Sequence, residues 1–183
     1  NLFIIDNIAA TYGGGIAIRD NSNPTFTNVT ITNNSTAADG YGGGIYGSNA
    51  NVSLNNIDFD NNISEHGGGI YAINSSVTID STNFTNNSSD FGGGILADES
   101  ETNISISNSN FSNNQALNGG GIQVQGNASI SVETSLFNNN SSLVAGGIYL
   151  NNSQPAIINN CTFIGHTNTG DDDTDAAAIH VGF

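Results

Sequence analysis

The sequence predicts an all-β fold, a parallel β-helix (β-solenoid) of about six to seven coils with three short strands per coil. Two interleaved repeats support this prediction. In the first, an Ile or Phe anchor is followed three residues later by a polar residue, at Ile4/Asn7, Ile31/Asn34, Phe59/Asn62, Phe84/Asn87, Phe111/Asn114, Phe137/Asn140 and Phe163/His166. In the second, three small residues precede an isoleucine, at Ile16, Ile45, Ile70, Ile95, Ile122, Ile148 and Ile179. The period of 25 to 31 residues is too short for one unit to bury an apolar face alone, so the units are expected to stack.

The first strand of each coil follows the cluster of small residues. Gly-Gly-Gly precedes five of the seven isoleucines, whereas Ala-Gly-Gly precedes Ile148 and Ala-Ala-Ala precedes Ile179. Glycine runs also occur in phosphate-binding loops, but these triplets lack the lysine and the following helix of such loops. We therefore predict tight turns in which glycine provides a positive φ or allows close backbone approach.

The second strand contains two apolar residues, seven and five positions before the anchor. They are Pro24/Phe26, Val52/Leu54, Val77/Ile79, Ile104/Ile106, Ile130/Val132 and Ala156/Ile158. Because these residues alternate with Ser, Thr and Asn, they have the period of a half-buried strand. No segment has a sustained 3.6-residue period, so almost no helix is predicted.

The third strand ends in the anchor and its polar partner. Five anchors, Phe59, Phe84, Phe111, Phe137 and Phe163, are predicted to form one continuous buried stack. The polar partners Asn7, Asn34, Asn62, Asn87, Asn114 and Asn140 are predicted to form a ladder, since an amide can bond the same amide one coil away. His166 takes the last position. Asn34, Asn62, Asn87 and Asn140 also begin N-x-Ser/Thr sequons, and an inward orientation would exclude a glycan there.

The amino-acid composition excludes some classes of binding partner. The chain has a net charge of -15, one basic residue (Arg19) and no lysine. Nucleic acids and anionic membranes bind clustered Lys and Arg, so neither is an expected partner. The single Cys161 has no partner for an internal disulfide, and no apolar run approaches the ~18 residues of a membrane helix. The Asn/Ser/Thr-rich composition predicts an extracellular or cell-surface location, with residues 1–183 forming a single domain.

The combination of Gly-Gly-x-Ile and Phe-x-x-Asn resembles the repeats of chlamydial-type polymorphic outer membrane proteins. The resemblance covers nearly the whole chain, and both motifs occur in order from Phe59 to Ile148. It implies the right-handed β-helix passenger of an autotransporter adhesin, and right-handed crossovers are also the general preference. This sequence has glycine at Gly44, Gly69, Gly94 and Gly121, where the family has alanine.

Two further sets of residues are candidate binding sites. Tyr46, Tyr71, Leu96 and Tyr149 directly follow the isoleucine of the glycine cluster and are predicted to lie on an exposed face. That face could contact sugars or a protein, or its residues could simply stack across strands. Calcium, a hard cation that binds oxygen ligands, would suit the oxygen-rich run of Asp171, Asp172, Asp173 and Asp175. The alternative for that run is a solvated acidic loop.

These observations favour a non-catalytic structural or adhesive module whose partners are other protein or carbohydrate surfaces. Parallel β-helices also include polysaccharide-degrading enzymes, and Asp58 and Asp60 are the best candidates for a catalytic pair. The neighbouring coils supply no evident catalytic partners for them. An ice-binding surface would require a regular threonine array, whereas the second strands offer an irregular series of Thr and Ser.

The chain is predicted to be uncapped at both ends. It opens on a third strand and stops after a first strand, and neither end has a polar cap. Solenoids need caps for solubility, so the chain is either an excised piece of a longer solenoid or a subunit that stacks end to end into a filament. Stacking would bring Leu2 and Phe3 of one copy against Val181 and Phe183 of the next.

Overall fold

The computed structural model describes residues 1–170 and 176–182, and it confirms the all-β, parallel β-solenoid. No helix occurs among these residues. The strands are β1 (Leu2–Ile5), β2 (Ile8–Ala9), β3 (Ile16–Ile18), β4 (Thr25–Thr32), β5 (Ser35–Thr36), β6 (Ile45–Ser48), β7 (Asn51–Asp60), β8 (Ile70–Ile73), β9 (Ser76–Asp80), β10 (Asn83–Thr85), β11 (Ile95–Asp98), β12 (Asn103–Ser107), β13 (Asn110–Ser112), β14 (Ile122–Val124), β15 (Ser129–Glu133), β16 (Leu136–Asn138), β17 (Ser141–Ser142), β18 (Ile148–Asn151), β19 (Ala156–Asn159), β20 (Thr162–Ile164), β21 (Thr167–Asn168) and β22 (Ile179–Gly182).

The strands form three faces. The glycine sheet contains the seven first strands, in the order β22-β18-β14-β11-β8-β6-β3. The phenylalanine sheet contains eleven strands and combines the predicted second and third strands of every coil. A corner residue with positive φ lies between these two strands in each coil. Pairing continues through the corner at Asn28 in β4 and at Asn56 in β7, whereas in later coils it is interrupted there, as at Ser81 and Asn108. A short third face follows the asparagine ladder and consists of the pairs β2–β5 and β17–β21 joined by isolated bridges.

The predicted register is confirmed residue by residue. Phe84 pairs with Phe59 on one side and with Phe111 on the other, and Ile95 pairs with Ile70 and Ile122 in the same way. The repeat therefore superposes like residues from coil to coil. Inside the solenoid these columns form one continuous apolar core that runs along the axis.

Asparagine also turns the chain at the corner that precedes the ladder. The residue before each ladder position has positive φ, at Asp6, Asn33, Asn61, Asn86, Asn113, Asn139 and Gly165. Asparagine and aspartate adopt this left-handed conformation more readily than other non-glycine residues. The Asn-Asn pairs of the sequence therefore combine two roles, since the first residue forms the corner and the second enters the ladder.

Glycine is required at the turn that leads into the glycine sheet. Gly92 has φ +64°, and a Cβ there would lie 2.2 Å from the carbonyl oxygen of Ile95. Gly47 differs, because its φ is not positive and a Cβ there would come no closer than 3.9 Å to any neighbour. Gly47 also pairs with Ala72, which already places a methyl group in that column of the core.

These two glycines provide a matched pair of substitutions. We expect Gly92→Ala to lower the free energy of unfolding by ~1–3 kcal/mol, because alanine is strained in this backbone conformation. We expect Gly47→Ala to raise it by roughly 0.5–1 kcal/mol, because alanine loses less conformational entropy on folding. Urea unfolding followed by circular dichroism measures both values. Equal effects of the two substitutions would contradict this assignment.

Candidate functional site

The ladder is a buried structural element. Each amide nitrogen donates to the Oδ1 of the next asparagine, from Asn7 to Asn34 at 2.8 Å and from Asn114 to Asn140 at 2.9 Å. From the second coil onward it also donates to the carbonyl oxygen of the anchor in the preceding coil, as Asn87 does to Phe59 at 3.0 Å. From Asn34 to Asn114, both hydrogens of the amide and its oxygen are thus used inside the fold. The predicted ladder is present, and its members from Asn34 to Asn140 are fully buried and offer no surface to a ligand.

His166 occupies the last position of the ladder and reproduces only part of its bonding. The backbone N–H of Asn140 donates to its Nδ1 at 3.2 Å, and its buried Nε2 has no partner among the described residues. Burial lowers the pKa of His166. The unfolded chain therefore binds a proton at a pH where the folded chain does not, and stability falls as the pH drops below the ordinary histidine value of ~6.5.

Restoring an amide at this position is expected to stabilise the fold. In His166→Asn, Oδ1 could accept from the side-chain amide of Asn140 in addition to its backbone N–H, which already donates to His166. The new amide nitrogen could donate to the carbonyl oxygen of Phe137, as in the coils above. We expect a gain of about 1 kcal/mol per new hydrogen bond, and a smaller loss of stability between about pH 7 and pH 5. Thermal unfolding at several pH values measures both effects. An unchanged pH dependence would show that His166 does not titrate on unfolding.

The residues that directly follow the glycine-cluster isoleucines were predicted to be exposed, and this prediction is wrong for three of the four. Tyr46, Tyr71 and Leu96 are buried, with 9%, 4% and 0% of their surface exposed, whereas Tyr149 is half-buried. The three point outward from the glycine sheet, but a second row of side chains covers them. This row, here called the aromatic column, consists of Tyr12, Tyr41, His66 and Phe91.

The aromatic column was recognisable in the sequence, because an aromatic residue or histidine directly precedes four of the glycine triplets. Its neighbouring rings stack, at 5.6 Å between Tyr12 and Tyr41 and 4.5 Å between Tyr41 and His66. The guanidinium of Arg19 lies 4.3 Å from the Tyr12 ring centre. Apolar burial and cation–π attraction therefore close this face of the solenoid.

Tyr71, one of the three buried residues beneath the aromatic column, forms a hydrogen bond to a carboxylate. Its hydroxyl donates to Asp98 at 3.3 Å. Burial raises the pKa of the Tyr71 hydroxyl, and the neighbouring Asp98 carboxylate raises it further. The tyrosine therefore stays neutral and acts as a donor, which fits a structural role.

In its strands from β4 to β15, the phenylalanine sheet presents a polar outward face whose side chains are tied together from coil to coil. Asn51 donates to Asn23 at 2.8 Å, and Asn61 donates to Asn33 at 2.7 Å. The Oδ1 of Asp80 accepts from Ser107 at 2.7 Å and from Asn108 at 2.8 Å. Bonds from Ser107, Asn108 and Ser81 hold the pKa of Asp80 below its ordinary value. The surface therefore presents amides, hydroxyls and carboxylates in fixed positions.

Asp58 and Asp60 belong to this same surface. Asp58 accepts from Asn83 at 2.8 Å, and Asp60 accepts from Asn86 at 3.0 Å. Asp58 also lines a shallow polar depression with Asn1, Asn28, Val29, Thr30 and Asn56. Each carboxylate is thus engaged by an amide of the next coil, in the same way as its neighbours on this face.

The predicted calcium ligands Asp171, Asp172, Asp173 and Asp175 lie outside the described residues, so the site stays a prediction. Within residues 1–170 and 176–182, no group of three or more His, Cys, Asp or Glu side chains could hold a metal ion. Of the residues predicted to contact another copy, Leu2, Phe3 and Val181 are 50%, 61% and 58% exposed. The fourth, Phe183, is not among the described residues. None of the described segments forms a helix long and apolar enough to cross a membrane.

Comparison with known proteins adds one match. The family model described as a right-handed beta helix region matches residues 1–135 and, in a second overlapping match, residues 43–181. Together the two matches extend over nearly the whole chain. No curated protein and no solved structure matches the sequence.

Proposed function

Since the chain belongs to the right-handed β-helix family, we propose that it is a non-catalytic structural and adhesive module, displayed on a cell surface or secreted. Its resemblance to the repeats of polymorphic outer membrane proteins supports surface display. So does its composition, which combines many Asn, Ser and Thr residues with a net charge of -15 and no lysine. Its partners would be carbohydrate or protein surfaces.

The observation that carries this proposal is the fixed polar surface of the phenylalanine sheet. Exposed asparagines normally lose side-chain entropy when they bind a partner. Here bonds between coils, such as Asn51 to Asn23 and Asn83 to Asp58, already hold them in place. A rigid array of donors and acceptors can therefore bind a polar surface with a smaller entropic penalty, and strand spacing repeats it every ~4.8 Å.

A binding experiment tests this proposal against an enzymatic function. The labelled chain is incubated with immobilised neutral and acidic polysaccharides and with extracellular matrix proteins, and both retention and released sugar ends are measured. We expect retention without product, weakened in the double variant Asn51→Ala/Asn83→Ala. Gln115→Ala, which removes an exposed amide from the short third face, is the control and should bind normally. Turnover that Asp58→Ala abolishes would establish an enzyme instead.

A second candidate function is end-to-end self-assembly, which the exposed side chains of Leu2, Phe3 and Val181 favour. Among the described residues, β1 forms one edge of the phenylalanine sheet and β22 forms one edge of the glycine sheet, and neither pairs with a further strand there. Unpaired edges are templates for pairing with another chain, and exposed apolar side chains beside them add contact area. Copies that stack in this way would form a filament by a heterologous, head-to-tail contact.

Complementary end variants test head-to-tail assembly. We expect the full chain to associate with increasing concentration in light scattering, and Phe3→Asp and Val181→Asp each to block one end. Either variant alone should then stay monomeric, because no two intact ends can meet. An equimolar mixture should stop at a dimer. A full chain that stays monomeric at high concentration would contradict self-assembly.

A further inference from the structure

N-x-Ser/Thr sequons occur in tandem at three corners of the solenoid. The segments are Asn33-Asn34-Ser35-Thr36, Asn86-Asn87-Ser88-Ser89 and Asn139-Asn140-Ser141-Ser142. Each contains two overlapping sequons, one beginning at the corner asparagine and one at the ladder asparagine. These corners lie on alternate coils, because Asn61 and Asn113 of the coils between them are followed two positions later by Ile63 and Gln115.

The fold separates the two sequons of each pair. Side chains two residues apart on an extended chain share a face, so the asparagine and the hydroxyl of one sequon point the same way. The corner asparagines Asn33, Asn86 and Asn139 are exposed, and their hydroxyl partners Ser35, Ser88 and Ser141 are half-buried. The ladder asparagines Asn34, Asn87 and Asn140 are fully buried, as are the hydroxyl oxygens of Thr36, Ser89 and Ser142.

The side-chain nitrogens of the ladder and corner asparagines also differ in their hydrogen bonds. That of Asn87 donates two hydrogen bonds inside the ladder, to Phe59 and Asn114. Asn33 accepts a bond from Asn61 through its oxygen, and within the described chain its nitrogen has no partner. Gly165 follows Asn139 in the corner column, so no side chain stands beside Asn139 on that side.

We propose that the corner residues Asn33, Asn86 and Asn139 are acceptor sites for N-linked sugars, and that they are modified on the folded chain. A bond would form between the side-chain nitrogen and the anomeric carbon of a phosphate-activated sugar. The bond from that carbon to the phosphate oxygen breaks, the phosphate leaves with the electron pair, and the nitrogen gives up a proton to the transferase. Sites on alternate coils lie roughly 10 Å apart, twice the strand spacing, which leaves room for a sugar on each.

The proposal implies an order of events, because a sugar on Asn34, Asn87 or Asn140 would remove ladder bonds and could not fit in the core. Modification of the ladder asparagines in the unfolded chain would therefore prevent folding, whereas modification after folding reaches only the corner asparagine of each tandem pair. Asn33 and Asn139 should be the better acceptors, since the nitrogen of Asn86 donates to Asp60 at 3.0 Å.

Single hydroxyl substitutions separate the two sequons in an experiment on the full chain. Ser35→Ala and Ser141→Ala remove the corner sequons and keep the ladder sequons, whereas Thr36→Ala and Ser142→Ala do the reverse. The folded proteins are treated with an asparagine glucosyltransferase and UDP-glucose, and the sites are mapped by mass spectrometry. The enzyme is first chosen for its ability to modify peptides of residues 31–37 and 137–143 at both asparagines.

We expect glucose at Asn33 and Asn139 of the folded chain and none at Asn34 and Asn140. This modification should be lost in Ser35→Ala and Ser141→Ala and retained in Thr36→Ala and Ser142→Ala, and the melting temperature should not fall on modification. Glucose on the ladder of the folded chain would overturn the proposal. So would a folded chain that is unmodified at both corners.

Discussion

Phe111→Ala is expected to lower the free energy of unfolding by ~3–5 kcal/mol, the range measured for fully buried phenylalanines. The Phe111 ring lies 4.6 Å from that of Phe84 and 4.7 Å from that of Phe137, nearly parallel to both. None of its surface is exposed. Truncation therefore removes contacts on both ring faces at once and leaves a cavity in the middle of the stack.

Collapse of that cavity is restricted by the opposite wall. Gly94 faces the ring so closely that a Cβ there would lie 3.0 Å from its Cδ1. With no side chain at Gly94 to move inward, the space can close only by a backbone shift, and strand pairing on both sides resists such a shift. The loss should therefore fall in the upper part of the range, because the cost grows with the residual cavity.

Leu136→Ala provides the control for this substitution. Leu136 belongs to the same sheet but points outward and is 37% exposed, so its truncation should cost less than ~1 kcal/mol. Chemical unfolding of the two variants beside the native chain measures the difference. A loss below ~1 kcal/mol for Phe111→Ala would mean that the stack relaxes around the missing ring.

The core and the ladder could be predicted from the sequence because like residues superpose in a parallel stack. Once Phe84 is aligned with Phe59 and Phe111, the register of every other position follows, including the pairing of Asn87 with Asn114. The alternation of apolar and polar residues also correctly predicted that Val77 and Ile79 point into the core. In such a fold the inward face is determined by local period alone.

The outward surface could not be derived in the same way, because exposure depends on what folds over a strand. Tyr46 and Tyr71 point away from the core, as alternation requires, yet turn residues such as Tyr41 and His66 cover them. Likewise, the fusion of two predicted strands in β7 depends on whether Asn56, with φ 53°, interrupts the pairing. The period reveals that aromatic residues recur before the glycine triplets, but neither that they fold over the neighbouring strand nor where the pairing is interrupted.

Asn87→Asp is expected to cost ~3–5 kcal/mol at about pH 7, although it exchanges only an NH₂ group for an oxygen. The carboxylate could still accept from the backbone and side chain of Asn62, at 3.0 Å each. It could no longer donate to the carbonyl oxygen of Phe59 or to Oδ1 of Asn114, and it would place a charge against both. The position is fully buried, so water cannot compensate.

The pH dependence distinguishes this cause from a general loss of packing. Burial and the two facing oxygens favour the neutral acid, so the pKa of the new carboxyl should lie above the unfolded value of ~3.9. The folded state then binds the proton more tightly, and the stability that this proton contributes is present below ~3.9 and lost as the pH rises through the folded pKa. Asn103→Asp adds the same charge at an exposed strand position and should cost less than ~1 kcal/mol. Acid should therefore reduce the difference in free energy of unfolding between Asn87→Asp and the native chain, but leave the difference for Asn103→Asp unchanged. A difference for Asn87→Asp that grows on acidification would exclude a buried carboxylate in the ladder.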